Sequence, residues 1–301
     1  MQKILVPVVT AFDDKEKPCA EGNARIADFL VSGGVDGILI LGSTGEFTNL
    51  TPDDKERMLV DYAKAVDGRV ELYAGTACPD WHDTVALSNR ALDLGYAASL
   101  VIGPSYYAIS QDELFAYYDA IASGVRGPLY IYNFPARTGH SIAPETLARL
   151  VEAHDNIRGL KDSVTEPMHT AQLALAVEGS DFKLYSGYDD QFLYNRTING
   201  AGGVGATANL APEVWRDLVD SANAGDMDRA CELAGLVHRL MQLYSLNSNC
   251  SLLFKQLMVH RGVEIDPRAI FPFNDIDEDV YERGERLLDG VLADYRKMAR
   301  Q

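Results

Sequence analysis

The run Ile157-Arg158-Gly159-Leu160-Lys161-Asp162-Ser163 reads as a short strand that ends on a lysine and passes at once into a loop. Strand side chains alternate between faces, so Ile157, Gly159 and Lys161 share one face while Leu160 and Asp162 take the other. If the first face looks into a barrel, Gly159 clears space beside an inward-pointing amine. A lysine at a strand end is by itself ordinary solvated charge. The rest of the chain decides what it means.

Working outward, the same form recurs. Short apolar runs occur at Ile4–Val9, Gly37–Leu41, Val70–Ala74, Ala98–Ile102, Pro128–Tyr132, Ile157–Lys161, Phe182–Ser186 and Gly203–Ala206. Each precedes a longer amphipathic stretch: Cys19–Ser32, a helix opened by Thr51 and Pro52, Trp81–Leu94, Gln111–Ser123, Pro144–Ala153, Met168–Val177, Asp190–Asn199 and a helix opened by Pro212. Thr51 suits an N-cap and Pro52 a first helical position, with Asp53 and Asp54 placed where a helix start favours negative charge. Strands alternating with helices imply parallel pairing, and eight such units predict a closed (β/α)₈ TIM barrel over residues 1–224 rather than an open doubly wound sheet. Residues 225–301 are expected to form a helical extension packed on the barrel, with helices at Met227–Leu246, Leu252–Arg261 and Asp277–Arg300.

Composition excludes several functions. The 301 residues carry 27 Lys and Arg against 44 Asp and Glu, a net charge of −17 that disfavours nucleic acid and anionic membrane as partners. Cys19, Cys78, Cys231 and Cys250 are scattered without a C-x-x-C pair, and are expected to be reduced and mostly buried. The six histidines form no H-E-x-x-H spacing, so no metal is expected. Gly200–Gly205 matches G-x-G-x-x-G literally but follows a helix rather than a strand, which removes the dinucleotide reading, and no cofactor is expected. The opening apolar run is short and broken by Pro7, unlike a signal peptide, and no run reaches the length of a membrane span. A cytoplasmic location follows as the expectation.

Barrel chemistry sits at the carboxyl ends of the strands. Lys161 is at such an end, and three neighbouring ends are chemically loaded. Gly42-Ser43-Thr44-Gly45-Glu46 suits a tight turn whose N–H and hydroxyl groups converge on an anion, without the Lys-Ser/Thr ending of a triphosphate loop. Ile131-Tyr132-Asn133-Phe134-Pro135-Ala136-Arg137-Thr138-Gly139 offers a tyrosine able to relay protons and, in a Pro- and Gly-bounded loop, an arginine able to clamp a carboxylate. In Pro104-Ser105-Tyr106-Tyr107, one tyrosine is a candidate for the same relay and the other for packing or an interface.

With these residues in place, the chain resembles the dihydrodipicolinate synthase/N-acetylneuraminate lyase family of class I pyruvate aldolases. Gly42-Ser43-Thr44-Gly45-Glu46, Tyr132-Asn133-Phe134-Pro135 and Gly159-Leu160-Lys161 carry the resemblance. It implies that Lys161 forms a Schiff base with pyruvate or another 2-keto acid and that Tyr132 shuttles protons. It also implies that Ser43 and Thr44 hold the pyruvate carboxylate, with Thr44 linking the tyrosines, and that the carbonyls of Gly187 and Val204 line the pocket. Tyr106 takes the place of a tyrosine that reaches a neighbouring subunit's site, and the family implies a homotetramer built from dimers. A free lysine amine is protonated at neutral pH; desolvation favours the neutral, nucleophilic form. A protonated imine is an electron sink, so the chemistry needs no metal.

Substrate signals are mixed. Arg137 matches the arginine with which the synthases hold aspartate semialdehyde, and Thr207-Ala208-Asn209 is also synthase-like. Asp162-Ser163 after the lysine, Phe134 and Tyr188 resemble instead the 2-keto-3-deoxy sugar acid aldolases. The resemblance therefore implies condensation of pyruvate with aspartate semialdehyde, with 2-keto-3-deoxygluconate-type cleavage or N-acetylneuraminate cleavage as the alternative. A catalytically silent 2-keto acid binding protein is the reading from another class.

Overall fold

Short buried apolar runs become strands and the longer mixed runs become helices, as their periodicities require. The computed structural model describes residues 1–247, 249–273 and 275–298. Its strands are β1 (Lys3–Pro7), β2 (Gly37–Ile40), β3 (Glu71–Gly75), β4 (Ala98–Ile102), β5 (Leu129–Asn133), β6 (Ile157–Asp162), β7 (Lys183–Ser186) and β8 (Gly202–Val204). They close in sequence order as a parallel TIM barrel. The helices are α1 (Ala20–Ser32), α2 (Pro52–Val66), α3 (Trp81–Asp93), α4 (Gln111–Gly124), α5 (Pro135–Thr138), α6 (Pro144–Ala153), α7 (Pro167–Ala176), α8 (Phe192–Thr197), α9 (Pro212–Ala224), α10 (Met227–Leu240), α11 (Cys250–His260) and α12 (Glu278–Met298).

Local chemistry sets the helix starts. The Thr51 hydroxyl accepts the Asp54 N–H, with Pro52 at the first helical position of α2, as expected from the sequence. Ser110 and Glu113 form a reciprocal capping box at the start of α4.

Four expectations change. The segment after β5, read as plain loop, holds the single-turn helix α5, begun by Pro135 and ended by Gly139 at φ +78°. The run Met227–Leu246 is broken, because α10 ends at Leu240 and Met241–Ser245 tightens into a 3₁₀ helix. Asp190–Asn199 divides into a 3₁₀ turn, Asp189–Gln191, and α8. The cysteines are thiols, but none is fully buried and Cys231 is exposed. The expected end of the last helix at Arg300 lies outside the described residues.

Packing separates the chain into two compact units: Met1–Gln2 with Leu72–Val204, and Lys3–Glu71 with the chain from Gly205 onward. The first holds β3 to β8. Within it β5 and β6 are in register, with Tyr132 opposite Lys161 and Asn133 opposite Asp162. The second holds β1, β2, α1, α2 and α9 to α12. Trp215 of α9 is fully buried there, its indole N–H donating to Thr207 Oγ1 at 2.9 Å. Arg261, at the end of α11, pairs with Glu213 at 2.9 Å, tying the C-terminal helices to α9. Among the described residues no helix is long and apolar enough to cross a membrane.

Candidate active site

The end of β6 places two ionisable side chains back to back. Lys161 is only 5% exposed, and its Nζ stands 4.2 Å from the centroid of the Tyr132 ring. A cation over an aromatic face is attracted by the ring's quadrupole. The register pairing of the two residues makes this contact a property of the sheet rather than of a loop. Gly159 does not leave open space, as the sequence suggested. A Cβ there would lie 2.7 Å from the Lys183 carbonyl and 2.8 Å from the Tyr130 ring, so glycine admits Tyr130 instead. Tyr130 in turn meets Tyr185 and Tyr73, at 6.2 and 5.8 Å between centroids, and these rings fill the layer around the glycine.

Beyond Tyr132 the chain continues as an aromatic and cationic ledge. The Tyr132 and Phe134 rings stack at 5.7 Å, and the exposed Arg137 guanidinium lies 5.9 Å from the Phe134 centroid. Tyr188, which follows β7, belongs to the same cluster. Burial and the nearby Tyr132 raise its pKa above 10, while Arg137 opposes the rise. Its closeness to both residues was not apparent from sequence.

Asp162 faces the other way, as strand alternation requires, and is fully buried. Its Oδ1 accepts from Asn133 Nδ2 at 2.7 Å, and its Oδ2 accepts from the Thr170 hydroxyl at 2.7 Å. His169 Nδ1 lies 3.0 Å from the same Oδ2. Asn133 carries the network onward, its Oδ1 accepting the Ile142 N–H at 3.0 Å. His169 Nε2 sits 3.0 Å from the Ile142 carbonyl and 3.1 Å from Ser141 Oγ. The hydrogen bond to Asp162 raises the His169 pKa above its ordinary 6.5, against the opposing effect of burial.

Other expected site residues take more varied positions. Gly187 N–H donates to the Asp162 carbonyl at 2.7 Å, and a Cβ on Gly187 would collide with the Ser163 hydroxyl. Val204 ends β8 and is buried. Tyr106 is 91% exposed at φ +80°, edge-on to the exposed Tyr107 with centroids 5.0 Å apart. Within this chain its side chain stands in solvent. His140 bonds the Pro104 carbonyl through Nε2 at 2.7 Å and so ties the β5 loop to the β4 loop.

Ser43 and Thr44 lie in the second unit, in a 3₁₀ turn after β2, where Ser43 is exposed and Thr44 half-buried. Two expected anion donors are used inside this turn: the Gly45 N–H bonds the Gly42 carbonyl at 3.0 Å, and the Glu46 N–H bonds the Ser43 carbonyl at 3.1 Å. Gly45 is needed because a Cβ would lie 3.0 Å from the Val8 carbonyl. Glu46, at φ +59°, anchors the turn through an ion pair of 2.7 Å with Lys255 of α11, whose side chain is fully buried. Lys255 also donates to the Thr10 carbonyl at 3.1 Å, and Glu46 Oε2 accepts the Ile270 N–H at 3.2 Å. Burial holds the Lys255 pKa below the ordinary lysine value, opposed by Glu46. No group of three or more His, Cys, Asp or Glu is arranged to hold a metal among the described residues.

The closed parallel barrel with helices after its strands is a fold found in a family of lyases and aldolases. A model of the dihydrodipicolinate synthetase family matches residues 1–290, and the chain belongs to that family. It is 30% identical over 280 residues to YagE of Escherichia coli K12, provisionally named a 2-dehydro-3-deoxy-D-gluconate aldolase, covering 91% of this chain and 92% of YagE. The crystal structure of YagE in complex with pyruvate matches with a TM-score of 0.93 at 29% identity, over 97% of this chain and 98% of that one. A 4-hydroxy-tetrahydrodipicolinate synthase of Methanococcus maripaludis is 34% identical over 249 residues, 83% of this chain and 85% of the synthase. The crystal structure of dihydrodipicolinate synthase from Aquifex aeolicus gives a TM-score of 0.90 at 26% identity, over 98% of both chains.

Proposed function

We propose that the protein is a class I pyruvate aldolase in which Lys161 is the imine-forming nucleophile. The observation that carries this reading is the buried Lys161 amine, set by sheet register over the Tyr132 ring. The amine adds to the keto carbon of pyruvate or another 2-keto acid, and loss of water gives the imine. A carbon–carbon bond at C3 then breaks or forms through the neutral enamine, with the protonated imine nitrogen as electron sink. The Tyr132 hydroxyl carries protons to and from the reacting atoms. The Gly187 and Val204 carbonyls line the pyruvate pocket, and the family resemblance gives Ser43 and Thr44 the role of carboxylate donors. Arg137 grips a carboxylate on the second reactant. Neither metal nor cofactor takes part, and the enzyme acts in the cytoplasm. Tyr106, exposed on a left-handed backbone, reaches a neighbouring subunit's site in a homotetramer built from dimers.

Between substrate classes, we favour cleavage of a 2-keto-3-deoxy sugar acid to pyruvate and an aldehyde. Asp162-Ser163, Phe134 and Tyr188 support it, and so does the likeness to YagE. Arg137 and the likeness to the M. maripaludis enzyme support the second reading, condensation of pyruvate with aspartate semialdehyde. A substrate panel separates them. It compares pyruvate release from 2-keto-3-deoxygluconate, the corresponding pentonate and N-acetylneuraminate with aspartate semialdehyde condensation. The proposal expects the deoxy sugar acids to have the highest kcat/KM and Lys161→Ala to abolish turnover. Dominant condensation would establish the second reading. Retention of keto acid with no turnover of any substrate would mark a binding protein.

A further inference from the structure

Behind Lys161, the Asp162–His169 pair obeys a strict proton count. A carbonyl oxygen only accepts, so a bond between His169 Nε2 and the Ile142 carbonyl at 3.0 Å requires a hydrogen on Nε2. The 3.0 Å contact between Nδ1 and Asp162 Oδ2 holds one further hydrogen, wherever it lies between them. With both contacts made, the pair carries the proton that renders it neutral overall. Removing that proton leaves a single ring hydrogen. The ionised Asp162 carboxylate only accepts, so that hydrogen stays on Nδ1, and the bare Nε2 then faces the Ile142 carbonyl and accepts instead from Ser141 Oγ, 3.1 Å away.

The loop that depends on this count carries Arg137. Residues 134–141 leave β5 and return at Ile142, and both ends of the excursion meet at the network. Asn133 accepts the Ile142 N–H, bonds Ser141 Oγ at 3.1 Å and donates to Asp162. His169 holds the Ile142 carbonyl from α7. At the tip the Arg137 guanidinium rests over Phe134, and beyond it the His140–Pro104 contact holds the loop independently of His169.

We propose that His169 is a positioning residue: in its protonated form it clamps Ile142, and with it the base of the Arg137 loop, onto the strand that bears Lys161. Loss of the proton loosens the loop and weakens the hold on the second reactant's carboxylate, leaving imine formation at Lys161 intact. This consequence for substrate rests on the function proposed above; the clamp itself does not. The charged groups acting on the imidazole are Asp162 from β6 and Glu166 from the start of α7, both of which favour the protonated form. The β5 loop contributes the neutral Ser141 and the Ile142 carbonyl, and β5 contributes the neutral Asn133.

The test uses the ligand-free protein first. Nitrogen-15 NMR of His169 should show both ring nitrogens protonated at neutral pH, and Ser141→Ala should move the titration to higher pH by removing the donor that serves the neutral ring. Amide exchange across residues 134–142 should quicken as His169 loses its proton, and by about tenfold in His169→Gln, in line with loss of one hydrogen bond to a charged group, while exchange in β6 stays unchanged. The KM for a carboxylated aldehyde or deoxy sugar acid should rise over the same pH range, with pyruvate trapping at Lys161 unaffected. A neutral His169 at pH 7, or loop exchange indifferent to its titration, overturns the proposal. Absence of pyruvate trapping at wild-type Lys161 would overturn the functional reading alone, and the NMR and exchange measurements would still decide the clamp.

Discussion

Lys161 and Tyr132 are register partners on β6 and β5, and the amine nitrogen lies 4.2 Å from the centre of the tyrosine ring. The ring supplies one face of the amine's environment, and the phenol is the part of that residue able to move a proton. Tyr132→Phe separates the two. It retains the ring and the packing on Phe134, so thermal stability should stay close to wild type. The kcat should fall by about 10²–10⁴-fold, the usual contribution of a positioned proton carrier. Wild-type kcat in the variant would remove Tyr132 from the chemistry.

Arg137 is exposed and rests on Phe134. Arg137→Ala should raise KM for an acidic second reactant by about ten- to hundredfold, the loss of a hydrogen bond to a charged group. Pyruvate should still form its imine. Steady-state kinetics on either side of the reaction measure this, and an unchanged KM would make the arginine a surface residue.

Glu46 and Lys255 form a buried pair that fastens the Ser43–Gly45 turn to α11. Removing one partner leaves the other charge buried and uncompensated, so Lys255→Met should lower stability to urea by about 3–5 kcal/mol. Adding Glu46→Gln to Lys255→Met should restore part of the loss. A single-variant effect below about 1 kcal/mol would mean that the pair is solvated in solution.

The raised pKa of His169 fixes the sign of a stability change with pH. The folded protein holds this proton more tightly than the unfolded chain, so the pair's contribution is full below an unfolded value of about 6.5 and is lost as pH rises through the folded value. The stability difference between wild type and His169→Gln should therefore shrink from pH 6 towards alkaline pH. A difference that grows with pH would show that the neutral ring is the stabilising form.

Much of this was legible in the chain before any coordinates. The eight alternating runs predict the barrel, and most strand ends lie within two residues of their expected positions. The alternation rule also separated Lys161 from Asp162 correctly. Single-turn α5 was invisible because four residues show no helical period. Lys255 was missed because its partner Glu46 lies 209 residues away, and no local pattern announces such a pair. His169 was nearer to hand. An outward aspartate at a strand end meets the first turn of the following helix, where a histidine seven residues on can face it. Tyr106 stands 91% exposed at φ +80°, and its sequence neighbours announce neither.

The most direct test of the account is borohydride reduction of the protein with pyruvate, followed by peptide mass mapping. Lys161 should carry a reduced three-carbon adduct, and Lys161→Ala should carry none. An adduct on Lys255, the other buried lysine described above, or no adduct at all, would contradict the assignment of Lys161 as the nucleophile.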